Sequence, residues 1–172
     1  MDAYDAIISR RSVREYIDKP ISAELVDKII AAGRYAPTAN NRQPWDFIII
    51  DDRTIMLKCS ELLPYGKMLK EAPLAILVCG RVEEGIPDGY TVFDCAAATE
   101  NILLAAHALG LGAVWLGVYP RDERMQGMRE IFKIPKDIMP VALISIGYPA
   151  KTKPAKKILK DSGVYKNSWG KR

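Results

Sequence analysis

The sequence predicts a single domain of alternating helices and strands. Four apolar runs have the length and composition of buried strands, and five further segments show helical periodicity or helix-capping residues. On its own, this alternation is typical of a parallel α/β sheet. The chain has 172 residues, of which 49% are hydrophobic and 27% charged, so it suffices for one domain with a proper core and hardly for two.

Each element follows from a local pattern. The strands are predicted at residues 47–50, 74–79, 113–116 and 139–146. The helices are predicted at about residues 2–10, 22–36, 54–63, 91–109 and 122–132. Ser22 can cap the second helix, and Gly110 ends the alanine-rich fourth helix. A Rossmann fold is excluded because Gly110-Leu-Gly112 follows a helix and enters a strand, which reverses the required order.

Basic residues are concentrated at the C-terminus. Residues 151–172 hold eight Lys or Arg and one acid, a local charge of +7, whereas the first 150 residues carry −3. Such a tail can bind nucleic acid or an anionic membrane, or can wrap a partner subunit. Its lysine-rich stretch lacks interleaved aromatics, which disfavours nucleic acid. No apolar run approaches the roughly 20 residues of a membrane span, and the acidic N-terminus does not resemble a signal peptide.

The cysteines and the single histidine argue against metal and thiol chemistry. Cys59, Cys79 and Cys95 form no CxxC pair and are odd in number, which favours reduced, buried thiols in a cytoplasmic protein. Because His107 is the only histidine, one chain cannot build a His-based metal cluster. Its place near a predicted helix end favours a capping or core role.

Residues 10–14, Arg-Arg-Ser-Val-Arg, form a dense cluster of anion-binding groups. Guanidinium groups present rigid, bidentate donors that match phosphate and carboxylate oxygens. The cluster alone predicts an anion site without saying which anion it holds.

Two further segments offer polar side chains or a backbone that no side chain covers. The loop at residues 36–45 offers Thr38, Asn41 and Gln43, which can contact the polar edge of a flat heterocycle or can simply serve as turn residues before a strand. The strand at 113–116 ends in Gly117, where a missing side chain lets the backbone approach a ligand.

Together, in this order, these segments resemble the FMN-dependent nitroreductase family. The matching segments are residues 10–14, 36–45, 97–106, 110–117 and 146–149. The resemblance implies an α+β fold with a mixed, mainly antiparallel central sheet flanked by helices, which replaces the parallel sheet. It also implies a homodimer with two FMN sites at the interface. Residues 1–149 would form the FMN-binding domain, and residues 150–172 a basic arm that wraps the partner subunit.

The resemblance assigns the cluster to one end and one edge of FMN. Arg10, Arg11 and Ser12 would meet the phosphate and ribityl chain. Arg14 would face the pyrimidine edge of the ring near N1 and O2, where its permanent charge favours the anionic reduced flavin.

The remaining implied contacts come from other segments. The other subunit would line the flavin with Pro37, Thr38, Ala39 and Asn41. The strand end would approach the ring through Trp115, Leu116 and Gly117. In the tail, Lys157 fits as a phosphate ligand, whereas Ala155 occupies a position that is basic in the family, so that Lys156 substitutes or the contact is missing. Lys67 is a further candidate cation at the ring edge.

The implied activity is hydride transfer from NAD(P)H through flavin N5 to a nitroaromatic, quinone or similar electron-poor acceptor, with ping-pong kinetics. Ferredoxin or a reduced flavin is an alternative donor. The short link at residues 80–90 favours an open pocket over the lidded sites of deiodinases and flavin-cleaving enzymes. The alternative function is a flavin-binding or redox-sensing dimer with little turnover.

Overall fold

The computed structural model describes residues 1–151 and 163–171. Within them, five α-helices and four strands follow one another along the chain. The helices are α1 (Ala3–Ser9), α2 (Ala23–Arg34), α3 (Arg53–Leu62), α4 (Asp88–Ala108) and α5 (Asp122–Phe132). The strands are β1 (Trp45–Ile50), β2 (Leu74–Arg81), β3 (Gly112–Gly117) and β4 (Ile138–Gly147). Short 3-10 turns span Ala39–Asn41 and Lys67–Lys70.

The four strands form one sheet in the order β1-β2-β4-β3, and every neighbouring pair is antiparallel. This confirms the α+β, mainly antiparallel fold. The parallel sheet suggested by alternation alone is wrong, because the chain returns from β1 through α3 into an adjacent strand of opposite direction. In the described residues, Ser12 adds a parallel bridge to Ala113 at the β3 edge.

Helices cover both faces of the sheet. Successive side chains of a strand point to opposite faces, and β2, buried along its length except at Arg81, shows this directly. Ile76 and Val78 join a core cluster with residues of α2 and α4. Leu77 and Cys79 join a second cluster with residues of α3 and α5. The result is three layers with one core on each side of the sheet.

Side-chain capping explains where three of the five α-helices in the described chain begin. Asp2, Ser22 and Asp52 each accept a hydrogen bond from a backbone N–H in the first turn of α1, α2 and α3, respectively. In the described part of the chain, no helix combines the length and the apolar character needed to cross a bilayer.

All three cysteines are free and buried. Burial raises the thiol pKa to about 11 at Cys59 and to about 12 at Cys79 and Cys95. The prediction that the three thiols are buried is therefore confirmed.

A buried tyrosine ties the segment after α1 to the sheet. The Tyr16 hydroxyl lies 2.8 Å from the Val13 carbonyl oxygen and 3.1 Å from the Ser145 carbonyl oxygen. The backbone N–H of Ile17 donates to the Tyr148 carbonyl at 3.0 Å. Burial raises the pKa of Tyr16 to about 12, so the hydroxyl keeps its proton at neutral pH.

The Tyr16→Phe substitution should destabilise the protein by about 1–3 kcal/mol, because it removes the donor that serves two carbonyl groups. Thermal unfolding of the protein without added ligand should show a Tm lower by about 2–4 °C for each kcal/mol. Tyr35→Phe is the control, because Tyr35 is 87% exposed. An unchanged Tm in Tyr16→Phe would show that the hydroxyl contributes nothing to the docking of this segment.

Candidate functional site

A glycine in β3 permits the cationic cluster to lie against the sheet. The Val13 backbone N–H donates to the Ala113 carbonyl at 3.0 Å. A Cβ atom added at Gly112 would come within 2.6 Å of Val13 Cγ1. Only glycine therefore allows this approach, and the approach fixes where the flanking side chains of the cluster project.

A cavity of about 290 Å³ opens between the end of α1, the segment at 11–15, the C-terminal end of α4 and the residues that follow β4. It is lined by Ser9, Arg11, Ser12, Val13, Arg14, Glu15, His107, Leu111, Pro149 and Lys151. Three cations, two hydroxyls and one carboxylate line this cavity, which we call the cationic cavity. Its donors suit a phosphate group, because charge-assisted hydrogen bonds to phosphate oxygens are short and strong.

The residues of the 10–14 cluster make different contacts. Arg11 Nη1 donates to the Ile8 carbonyl at 2.9 Å, so Arg11 covers the end of α1 while it lines the cavity. Ser12 is exposed. Arg10 does not line the cavity, because its Nε lies 3.2 Å from Glu100 Oε1 on α4.

Arg14 also lines a second cavity, of about 160 Å³, which we call the strand-end cavity. The other lining residues are Leu63, Pro64, Tyr65, Trp115, Leu116, Gly117 and Arg124. Arg14 is exposed, and no hydrogen bond or ion pair joins it to another described residue. Its guanidinium is therefore available to a ligand that reaches from one cavity to the other.

The end of β3 is open. A Cβ atom added at Gly117 would meet only the Tyr119 carbonyl oxygen, at 3.9 Å. Trp115 is 37% exposed although the strand around it is largely buried. Arg124 Nη1 donates to the Gly117 carbonyl at 2.7 Å and holds the strand end in place. A flat group can approach the backbone here.

The remaining predicted cations are Lys67, Lys156 and Lys157. Lys67 is exposed in its 3-10 turn and lines neither cavity, although Tyr65 nearby lines the strand-end cavity. Lys156 and Lys157, together with Ala155, lie outside the described residues.

The loop with Pro37, Thr38, Ala39 and Asn41 also lines neither cavity. It is anchored to α4 instead: the Ala39 backbone N–H donates to Asp94 Oδ1 at 3.1 Å, and Arg42 Nη2 lies 3.9 Å from Asp94 Oδ2. Asn40 and Asn41 have φ values of 53° and 54°, a left-handed conformation that asparagine tolerates better than most residues. The flavin contacts of this loop from a second chain therefore stay a prediction.

Sequence reasoning missed several residues that line the cavities. His107 was expected to cap a helix or to pack in the core; instead it lines the cationic cavity, and its Nε2 lies 2.7 Å from Ser9 Oγ. Burial, and then the charges of Arg10 and Arg11, lower the pKa of His107. Lys151, Tyr65 and Arg124 also escaped notice. No local pattern could have joined Ser9 to His107, which are 98 positions apart.

The fold and the two cavities define an α+β protein with a cationic pocket that opens towards a strand end, and comparisons identify its relatives. The sequence model of the Nitroreductase family matches residues 7–65 and 56–148. A candidate NADH dehydrogenase/NAD(P)H nitroreductase of Methanothermobacter thermautotrophicus is 44% identical over 170 residues, which cover 98% of this chain and 88% of the relative. The chain belongs to the nitroreductase family, a family of oxidoreductases.

Two solved structures share the fold. A candidate NADH dehydrogenase/NAD(P)H nitroreductase from Parabacteroides distasonis is 40% identical, with a TM-score of 0.92 over 96% of this chain and 98% of that one. An FMN-dependent nitroreductase from Clostridium difficile is 32% identical, with a TM-score of 0.89 over 96% of this chain and 99% of that one.

The Gly112→Ala substitution should displace residues 12–16 from the edge of β3, because the new methyl group collides with the Val13 side chain. Overpacking of this kind costs about 1–3 kcal/mol. Hydrogen exchange should show faster exchange of the Val13 amide, together with a lower Tm.

Gly89→Ala is the matched control for that substitution. A Cβ atom at Gly89, near the start of α4, meets nothing within 4 Å. This control should keep or slightly raise the Tm, because alanine favours a helix more than glycine does. Unchanged protection of the Val13 amide in Gly112→Ala would show that the close approach does not hold the segment.

Proposed function

We propose that the chain is an FMN-dependent NAD(P)H oxidoreductase that reduces nitroaromatics, quinones or similar electron-poor acceptors. The observation that carries this proposal is that Arg14 lines both the cationic cavity and the open strand-end cavity. A ligand with a phosphate at one end and a flat ring at the other matches that pair of cavities. The FMN-dependent relative from Clostridium difficile supports FMN as this ligand.

The cationic cavity would hold the phosphate. Arg11, Ser12 and Lys151 offer donors there. Charge-assisted hydrogen bonds contribute roughly 1.5–3 kcal/mol each, and the entropy cost of binding offsets much of their sum. Arg10 stands beside this cavity in its ion pair with Glu100, and the tail residues Lys156 and Lys157 are proposed to add further positive charge.

The strand-end cavity would hold the ring. Its described lining has two arginines and neither a histidine nor a carboxylate. FMN held there would supply the two-electron chemistry between NAD(P)H and the acceptor. The chain's residues then have to position the ring and supply charge: Arg14 places a fixed positive charge at the ring edge, and Gly117 leaves its backbone open to the ring.

The site would be completed in a homodimer. The loop at Pro37–Asn41 is hydrogen-bonded to Asp94 on α4 and lines neither cavity of its own chain, so its flavin contacts would be made in a second chain. Apolar side chains stand exposed on two helices: Tyr4, Ile7 and Ile8 on α1, and Tyr90 and Phe93 on α4. A dimer interface would bury them. The free thiols support a reducing, cytoplasmic location.

The purified protein should be yellow, or should become so with added FMN. NAD(P)H should bleach the flavin absorbance within seconds, and a quinone or nitroaromatic should restore it. Double-reciprocal plots at several acceptor concentrations should give parallel lines, as ping-pong kinetics require.

Two results would contradict this proposal in different ways. A protein that takes up no FMN would exclude the cofactor. A protein that binds FMN but is neither bleached nor reoxidised would instead be a flavin-binding or redox-sensing dimer.

The Arg14→Gln substitution should slow the bleaching by NAD(P)H about 10- to 100-fold, because it removes a charged donor worth about 1.5–3 kcal/mol. The midpoint potential of the bound flavin should fall as well. The Tm of the flavin-free protein should change little, because Arg14 is exposed and has no partner among the described residues.

Lys58→Gln provides the control for that substitution, since it removes the same charge from an exposed position on α3 that lines neither cavity. Its bleaching rate should equal that of the unmodified protein. Equal rates in Arg14→Gln and Lys58→Gln would remove Arg14 from its assigned role.

A further inference from the structure

The wall of the cationic cavity contains a hydrogen-bonded pair that the proposed function does not use. Ser9 Oγ donates to the Asp5 carbonyl oxygen, one turn earlier in α1, at 2.5 Å. The same oxygen lies 2.7 Å from His107 Nε2. Because the hydroxyl proton is already engaged, Ser9 Oγ accepts the second hydrogen bond, and His107 Nε2 carries the proton that is donated.

This arrangement fixes the tautomer of the histidine. In the neutral ring, a proton on Nε2 leaves a lone pair on Nδ1. No described residue forms a hydrogen bond with Nδ1. A proton taken up by the ring therefore binds at Nδ1, and it turns that nitrogen from an acceptor into a charged donor.

We propose that His107 is a further phosphate-binding residue of the cationic cavity, which takes up one proton from solvent at Nδ1 when a phosphate monoester dianion enters. This inference rests on the proposed function, since the phosphate is that of FMN. Ser9 is the positioning residue, because its hydroxyl oxygen holds the ring in the tautomer that accepts the proton. The bound phosphate would then meet an imidazolium in addition to the arginines.

The charges around His107 explain why the proton arrives with the ligand. Burial and the charges of Arg10 and Arg11 lower the pKa of His107 below its usual range, so the ring is neutral at pH 7 in the ligand-free protein. A phosphate dianion in the cationic cavity offsets the charge of these arginines and stabilises the imidazolium. The pKa of His107 is therefore higher in the complex than in the free protein.

The other charged groups near the ring come from every neighbouring element. On α1, Asp5 lies one turn before Ser9. On α4, Glu100 lies two turns before His107 and is paired with Arg10. The cavity lining adds Arg14 and Glu15 from the segment after α1, and Lys151 from the residues after β4. Glu15 and Lys151 are paired at 3.2 Å, so the arginines dominate the field at the ring.

The direction of the pH dependence follows from linkage. A group whose pKa rises on binding makes the ligand bind more tightly below its free-state pKa, and the gain is lost as the pH rises through its bound-state pKa. The phosphate itself has a second pKa near 6 and acts in the opposite direction. That contribution is common to all variants, so it cancels when the dissociation constants of two variants are compared at each pH.

The chain's single histidine allows a direct measurement. In protein freed of any histidine tag, NMR titration of the His107 ring should give a pKa that rises by about one unit or more on saturation with FMN. Riboflavin, which lacks the phosphate, should leave it unchanged. Equal His107 pKa values with FMN and without it, or equal shifts with FMN and riboflavin, would overturn the inference.

His107→Gln supplies the second measurement, because glutamine can still donate to Ser9 and does not titrate. The ratio of FMN dissociation constants, variant over unmodified protein, should be near one at pH 8.5 and rise to about tenfold at pH 6. A ratio that stays flat with pH, in a variant that still binds FMN, would overturn the role of His107 and leave the proposed function intact. A failure of the unmodified protein to bind FMN at any pH would overturn both.

Discussion

The close packing of residues 12–16 against the β3–β4 edge is the constraint on which the site depends. Gly112 and Gly147 are register partners in these two strands. A Cβ atom at Gly112 would collide with Val13, and one at Gly147 would lie 2.7 Å from the Tyr16 ring. The two glycines thus remove side chains from neighbouring positions of the sheet, and the segment that carries the arginines occupies the space. The cationic cavity, the strand-end cavity and Arg14 between them all follow from that contact.

The packing concentrates positive charge, and acidic neighbours partly offset it. Glu100 pairs with Arg10, and Glu15 pairs with Lys151. These pairs are partly exposed, so each contributes little to stability. Their main effect is on the electrostatic field of the site. They offset the charges of Arg10 and Lys151, and they leave Arg14 without a partner among the described residues. An anionic ligand would neutralise the positive charge that this packing concentrates.

Sequence patterns predicted the elements well and their arrangement poorly. Hydrophobic periodicity and capping residues placed all nine helices and strands of the described chain close to their observed bounds. Periodicity carries no information on strand direction, so the antiparallel order came only from the family resemblance. The arginine cluster was visible because its members are adjacent. Ser9 and His107 were not paired, because only the packing of α1 against α4 brings them together.

The burial of all three thiols affects how readily electrophiles can modify the protein. The thiolate is the form of cysteine that attacks electrophiles, and a pKa near 11 or 12 leaves almost none of it at neutral pH. Quinones and the partly reduced products of nitro compounds are electrophiles that alkylate exposed thiolates. Because all three cysteine thiols are buried in the two cores, the protein offers such compounds almost no thiolate. It can therefore meet them repeatedly without being arylated at cysteine.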